Sequence, residues 1–385
     1  MIADLLIVGF PFLIGVAAFT VAVIAIAVGL RHRMNRIVTV AVWVVIVALL
    51  AGNAAGWVNR HFDYMRTFDD LFGRTAQDES SVADIARQDT VPEHGQVITI
   101  PIPATTSGFA ARDALVYLPP AWFMKPRPQL PVIELLAGEP GATDNWTQGG
   151  LADVTSDAFA ATHRGVAPVL VMADSNGSDT ADTECVGKAE RYLTVDVPRF
   201  VGARFGTAMT PEKWAIGGLS EGGMCGLMLS LRHPEQYRTF LDFGGLLGPR
   251  EADDNSVGDT VSVYFDGDEA EFAAHEPLDI LRKNRFDQLG GWFEVGSEDA
   301  DPLAAQQALV PAATSAGVTT CSVVVPGGEH TFQVWTEAFK VRCRGSPRGW
   351  ESVRRLPGVP TSEPRCRPVD RRRLVQSISF GVTKR

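Results

Sequence analysis

Trp214-Ala215-Ile216-Gly217-Gly218-Leu219-Ser220-Glu221-Gly222-Gly223-Met224 is the stretch on which the reading of this chain turns. Ala215-Ile216 is apolar and strand-like, and Met224 to Leu231 has the composition of a helix. Between them stands Gly218-x-Ser220-x-Gly222. A strand that becomes a helix over so few residues leaves no room for side chains beside the turn, so glycine flanks the serine and its hydroxyl is left exposed above the sheet.

A serine hydroxyl needs a base to become a nucleophile. Of the seven histidines, His32 lies between two apolar runs, and His61 and His94 precede the domain. His163 lies in a helix-like stretch, His233 precedes Pro234 at a helix end, and His275 sits in Ala-Ala-His-Glu-Pro. His330 alone follows a late strand, in Pro326-Gly327-Gly328-Glu329-His330, and is the expected base. An acid that orients it belongs after the preceding strand, Trp292–Val295, where Gly296-Ser297-Glu298-Asp299-Ala300-Asp301 offers three carboxylates. Gly-x-x-Asp puts Asp299 at the top of a turn leaving the sheet; Asp301 and Glu298 stay open as alternatives. Its role is to hold the imidazole tautomer and stabilise the imidazolium. A developing oxyanion needs two backbone N–H donors. Glu221, next after the serine, supplies one. The loop after Val132–Leu136 supplies the other. Pro140 has no N–H, so the expected donor is Glu139.

Outward from the turn, apolar strands alternate with helical stretches. Val97–Ile102 and Ala114–Leu118 open the pattern, followed by Val132–Leu136, Pro168–Ala173, Trp214–Gly217, Phe240–Phe243, Trp292–Val295 and Ser322–Val325. Short apolar strands separated by helices predict a mostly parallel sheet covered on both faces, hence an α/β fold.

The chain has 385 residues, 45% hydrophobic and 21% charged, enough apolar material for a large core and too much for a disordered chain. A net charge of -10 argues against a nucleic-acid partner. Five cysteines without CxxC spacing exclude a disulfide scaffold or a zinc ribbon. With no metal-ligand cluster and no phosphate-binding glycine loop, no metal and no cofactor is expected.

The ends differ from the middle. Leu5–Leu30 and Ile37–Val58 carry no charge over 26 and 22 residues, and about 20 suffice to cross a bilayer. The first run is too long for a cleaved signal, so residues 1–58 are expected to form a transmembrane hairpin. Arg31, Arg33 and Arg36 in the connection should stay cytoplasmic, which puts everything after Val58 outside. Residues 59–96 read as a juxtamembrane segment and linker, with Phe62, Met65, Phe68 and Phe72 on one helical face. Residues 97–339 form the expected globular domain. Residues 340–385 carry thirteen Lys/Arg against three Asp/Glu, without helical periodicity. A disordered basic tail that binds anionic polymer or lipid head groups would look like this, and so would a shift of reading frame near residue 340.

Taken together, these pieces resemble the esterase family of α/β-hydrolases that includes esterase D, the feruloyl esterases and the mycolyltransferases. The resemblance is carried by Ala189 to Pro198, by Ser220-Glu221-Gly222-Gly223 with His233-Pro234-Glu235-Gln236-Tyr237, and by Gly328-Glu329-His330-Thr331-Phe332 with Trp335. It implies an α/β-hydrolase fold and ester hydrolysis or acyl transfer through a serine-bound acyl group. Relatives often have His where Ala137 stands, and usually one more packed helix after the histidine loop. In an oxidising compartment Cys185 and Cys225 can pair across the nucleophile strand; Cys225 also reads as a plain buried helix residue. Cys321, Cys343 and Cys366 have no evident partner.

The expected protein is therefore a membrane-anchored extracytoplasmic serine esterase, with an ester or acyl-lipid substrate and membrane lipid as its partners. The alternatives are an acyltransferase to a sugar or glycolipid hydroxyl and a non-catalytic envelope-binding protein on the same fold. Two helices without an intramembrane ionisable residue exclude a transporter.

Overall fold

The computed structural model describes residues 9–62, 85, 87, 90–178, 181–251 and 256–343. The chain divides into two units, residues 1–75 and 76–385.

The first unit holds α1 (Phe10–Leu30) and α2 (Arg36–Phe62). At 1.5 Å per residue they are about 30 and 40 Å long. Both are long and apolar enough to cross a membrane. Their surfaces are inverted relative to a soluble pair: Phe19, Val40 and Trp43 face outward, while Thr20 is buried between the helices. Asn53 Nδ2 donates to Thr20 Oγ1 at 2.9 Å, a polar tie between the two helices. Helix α2 runs on past Val58, the expected end of the hairpin. The side chains of the Phe62, Met65, Phe68 and Phe72 stripe lie outside the described residues.

The second unit is built on β1 (Gln96–Ile100), β2 (Ala114–Leu118), β3 (Val132–Leu136), α3 (Ala152–Thr162), β4 (Val169–Met172), α4 (Val197–Phe205), β5 (Trp214–Leu219) and α5 (Glu221–Arg232). It continues with β6 (Thr239–Phe243), α6 (Val257–Tyr264), α7 (Glu269–His275), α8 (Pro277–Lys283), β7 (Gly290–Gly296), α9 (Ala300–Ser315), β8 (Thr319–Val325) and α10 (Phe332–Cys343). One sheet of eight strands runs β1-β2-β4-β3-β5-β6-β7-β8. The β1–β2 and β2–β4 pairs are antiparallel, and the other pairs are parallel. The carboxyl ends of β3 to β8 therefore share one edge, where open α/β sheets hold their ligands.

Helix α5 shows why these residues make a helix between two apolar layers. Met224, Cys225, Met228 and Leu229 enter one core with Val132, Ile216 and Phe205. Leu227 and Leu231, on another stripe of the same helix, enter a second core with Phe240, Phe293 and Leu309. Cys185 and Cys225 form a disulfide. Cys321 is disulfide-bonded as well, which corrects its reading as unpartnered.

The helix after the histidine loop is present. Helix α10 buries Trp335, Ala338 and Phe339 and lays the Phe339 ring 5.7 Å from Trp146. It reaches Cys343, so the basic run begins inside its last turn and not at the end of the fold; residues 344–385 lie outside the described residues.

Candidate active site

At the end of β5, Ser220 takes φ 55° and ψ −124°, a left-handed conformation that L-residues rarely hold. The glycines around it answer a shortage of space. A Cβ on Gly218 would sit 2.3 Å from the Leu136 carbonyl oxygen, and one on Gly222 would sit 2.4 Å from that of Ala137. Ser220 N–H donates to Phe243 C=O at 2.9 Å, and Ser220 C=O accepts from Gly223 and Met224, so the turn is pinned to β6 and to α5.

The loops after β7 and β8 bring Asp299 and His330 to this turn. His330 Nε2 lies 2.9 Å from Ser220 Oγ, and His330 Nδ1 lies 2.6 Å from Asp299 Oδ2. The two loops are sewn together: Ser297 N–H donates to Val325 C=O, Glu298 N–H to Gly328 C=O, and Gly327 N–H to Ser297 Oγ at 2.8 Å. The Trp335 ring stands edge-on to the imidazole at 4.9 Å. Asp299 is buried just ahead of α9. Glu298 and Asp301, the alternative acids, are exposed, and Glu298 accepts instead from Ser297 Oγ at 3.1 Å. His233 and His275 are occupied elsewhere, with ring nitrogens 2.7 and 3.0 Å from the Glu190 carboxylate.

Glu221 is the first residue of α5, where backbone N–H groups have no partner within the helix. Glu139 lies on the loop after β3, which packs on the turn: a Cβ on Gly138 would sit 3.0 Å from Ser220 Cβ. That loop is held by Trp146 Nε1 donating to Leu136 C=O, by Ala142 N–H donating to Asn145 Oδ1, both at 2.8 Å, and by Arg112 Nη2 donating to Gly141 C=O at 3.1 Å. Arg112 and Asn145 thus fasten the loop that carries Ala137.

A group of buried acids beside the serine escaped the sequence reading. Glu221 accepts from Asn176 Nδ2 at 2.8 Å and is buried. Burial first, then the neighbouring Asp182 carboxyl, push Glu221 well above the usual carboxylate range. Burial and Asp182 likewise push Glu184 up to about 10. Asp182-Thr183-Glu184 reads in sequence as a polar loop, and only the fold turns it toward Glu221. Cys185, Glu221 and Cys225 bring ligand-type atoms within 4.8 Å of one another, but the sulfurs are bonded to each other, which leaves one carboxylate and no metal-ligand set there.

A strained serine above a mostly parallel sheet, with helices on both faces, sets the class: this is an α/β-hydrolase, and a serine hydrolase among them. Residues 110–344 match the family model described as Putative esterase, and the chain belongs to that family. An uncharacterised protein of Corynebacterium glutamicum is 38% identical over 282 residues, covering 67% of this chain and 64% of the relative, so the chain spans less than two thirds of that relative's length. In fold, the chain is similar to a ferulic acid esterase with a TM-score of 0.53 at 18% identity, covering 64% of this chain and 96% of the other. It is also similar to an S-formylglutathione hydrolase from Agrobacterium tumefaciens with a TM-score of 0.54 at 16% identity, covering 67% and 96%.

Proposed function

We propose that this chain is a membrane-anchored, extracytoplasmic serine esterase that cleaves carboxylic esters through an acyl-Ser220 intermediate. The observation that carries the reading is the continuous Ser220–His330–Asp299 contact, at 2.9 and 2.6 Å. Ser220 Oγ attacks the ester carbonyl as His330 Nε2 takes its proton. Asp299 keeps the imidazole's other N–H directed to itself and stabilises the imidazolium. The N–H groups of Glu139 and Glu221 receive the oxyanion. His330 then gives its proton to the departing alcohol. Water, activated in turn by His330, attacks the acyl group and frees Ser220.

The extracytoplasmic placement rests on two supports. The arginines at 31, 33 and 36 sit between two apolar helices, and the globular unit carries disulfide-bonded cysteines of the kind that persist in oxidising compartments. Steady-state hydrolysis of short aryl esters by the detergent-solubilised full chain tests the chemistry. Ser220→Ala and His330→Ala should each lose activity by about 10⁴-fold or more. Product analysis with a disaccharide present separates the fates of the acyl group: free acid supports the esterase, acyl-sugar the acyltransferase. Well-folded wild-type protein that hydrolyses and transfers nothing supports a binding protein. Protease added to intact cells should degrade the globular unit, and full protection would reverse the topology.

A further inference from the structure

The oxyanion donors named above sit on different elements, Glu139 on the loop after β3 and Glu221 at the start of α5. Their separation therefore depends on whatever ties those elements together. One unbroken hydrogen-bond path does so. Gly141 C=O accepts from Arg112 Nη2 at 3.1 Å, and the same nitrogen donates to Asp174 Oδ1 at 2.6 Å. Asp174 Oδ2 also accepts Arg112 N–H at 2.7 Å and Gly177 N–H at 3.0 Å, and Oδ1 accepts Asn176 N–H at 3.2 Å. Asn176 Nδ2 then donates to Glu221 at 2.8 Å.

The path is buried where it bends. Asp174 is 1% exposed and Asn176 3%, and the Arg112 head reaches them from a half-buried position. Burial alone would raise the Asp174 carboxyl, yet the Arg112 hydrogen bonds and charge bring it net below the usual carboxylate range. At the far end, Gly141 is folded so tightly that a Cβ there would sit 2.2 Å from Gly138 C=O. Gly141 follows Glu139 by two residues, across Pro140, so a hold on the Gly141 carbonyl restrains the same short loop that presents the Glu139 N–H. The path joins the turn after β4, the segment before β2 and the loop after β3 on the edge of the sheet where Ser220 stands. A buried ion pair contributes little net stability once desolvation is counted, so geometric definition is the better reason for one here. Oxyanion stabilisation demands that definition, because donors act only when preset to the position the oxygen will occupy.

We propose that Arg112, Asp174 and Asn176 are positioning residues that set the spacing between the Glu139 and Glu221 N–H groups. The inference rests on the esterase reading. It predicts a loss confined to states that carry a tetrahedral oxyanion.

The test uses the detergent-solubilised full chain, a short aryl ester, a trifluoromethyl ketone that forms a tetrahedral adduct on the serine, and the non-reacting methylene isostere of that ketone. In Arg112→Gln, kcat should fall about 10²-fold with KM within threefold. Ketone affinity should fall in parallel with kcat/KM, isostere affinity should stay, and Arg112→Lys should recover part of the loss. Asn176→Leu leaves the ion pair intact and should lower kcat about tenfold with the same signature; it decides the matter if Arg112→Gln does not fold. Folded variants with unchanged kcat, or a raised KM at unchanged kcat, would overturn the proposal. So would ketone affinity per folded molecule that stays at the wild-type value. Ser220→Ala, run alongside, separates the two readings: hydrolysis that survives there rejects the esterase reading, whereas hydrolysis lost there and intact in Arg112→Gln and Asn176→Leu rejects positioning alone.

Discussion

Asp299 reaches His330 across two loops, Oδ2 to Nδ1 at 2.6 Å, while the carboxylates on either side of it in sequence, Glu298 and Asp301, point to solvent. Asparagine at 299 keeps the size of the side chain but can stabilise the wrong tautomer and cannot balance an imidazolium. Asp299→Asn is expected to lower kcat about 10³- to 10⁴-fold with little change in KM. Glu298→Gln and Asp301→Asn should stay within about threefold of the wild type. Ester hydrolysis by the three variants checks this; equal losses at Glu298 or Asp301 would move the acid away from Asp299.

Glu221 carries a consequence for the pH profile. Burial and the neighbouring Asp182 raise its pKa, so the side chain stays protonated to higher pH than an ordinary carboxylate and ionises only as pH climbs further. In the proposed mechanism, an anion there would oppose the oxyanion held at the residue's own N–H. Activity should therefore decline on the alkaline side. Glu221→Gln, which still accepts from Asn176, should keep kcat within about threefold at pH 6 and shift that decline upward. An alkaline limb identical to the wild type would exclude this role for Glu221.

Glu134 predicts a pH dependence of stability. It lies fully buried on β3, accepts from Tyr237 O–H at 2.9 Å, and burial pushes it up to about 8 from an ordinary 4.5. The folded chain thus keeps a proton that the unfolded chain releases. The contribution is full below about pH 4.5 and is lost as pH rises toward 8, at up to about 1.4 kcal/mol per pH unit. Asp242, pushed up to about 7, acts with the same sign over a lower window. Denaturant unfolding at several pH values should show Glu134→Gln losing less stability than the wild type between pH 5 and 8. Parallel curves for the two proteins would contradict it.

The Cys185–Cys225 disulfide closes a loop with a sequence separation of 40 residues. Cys185→Ser with Cys225→Ser should lower stability by about 3 kcal/mol, read as an earlier unfolding midpoint. Mass spectrometry after alkylation without reductant should find both cysteines unmodified in the wild type; a free thiol at either position would refute the pairing.

What could be read from sequence was what local sterics dictate. The Gly218-x-Ser220-x-Gly222 turn announces itself because its glycines answer to carbonyls at fixed nearby positions, and β2 and β3 fall where apolar runs predict them. Composition starts the basic run at Lys340, while α10 continues to Cys343. Basic side chains are favourable in a last helical turn, though, and Trp335, Ala338 and Phe339 already hold that helix on the core. Arg112 could not have been found, since its partners at 141 and 174 lie on other loops and nothing in its neighbourhood along the chain marks it. Glu134 reads as a lone charge in an apolar strand until Tyr237, far along the chain, is folded against it.

The central claim is most directly tested by locating the covalent adduct. The folded full chain is treated with a fluorophosphonate and digested, and the modified peptide is sequenced by mass spectrometry. The account predicts one adduct per chain, on Ser220, absent from Ser220→Ala and much slower to form in His330→Ala. A folded wild-type protein that carries no adduct, or carries it on another residue, would contradict it.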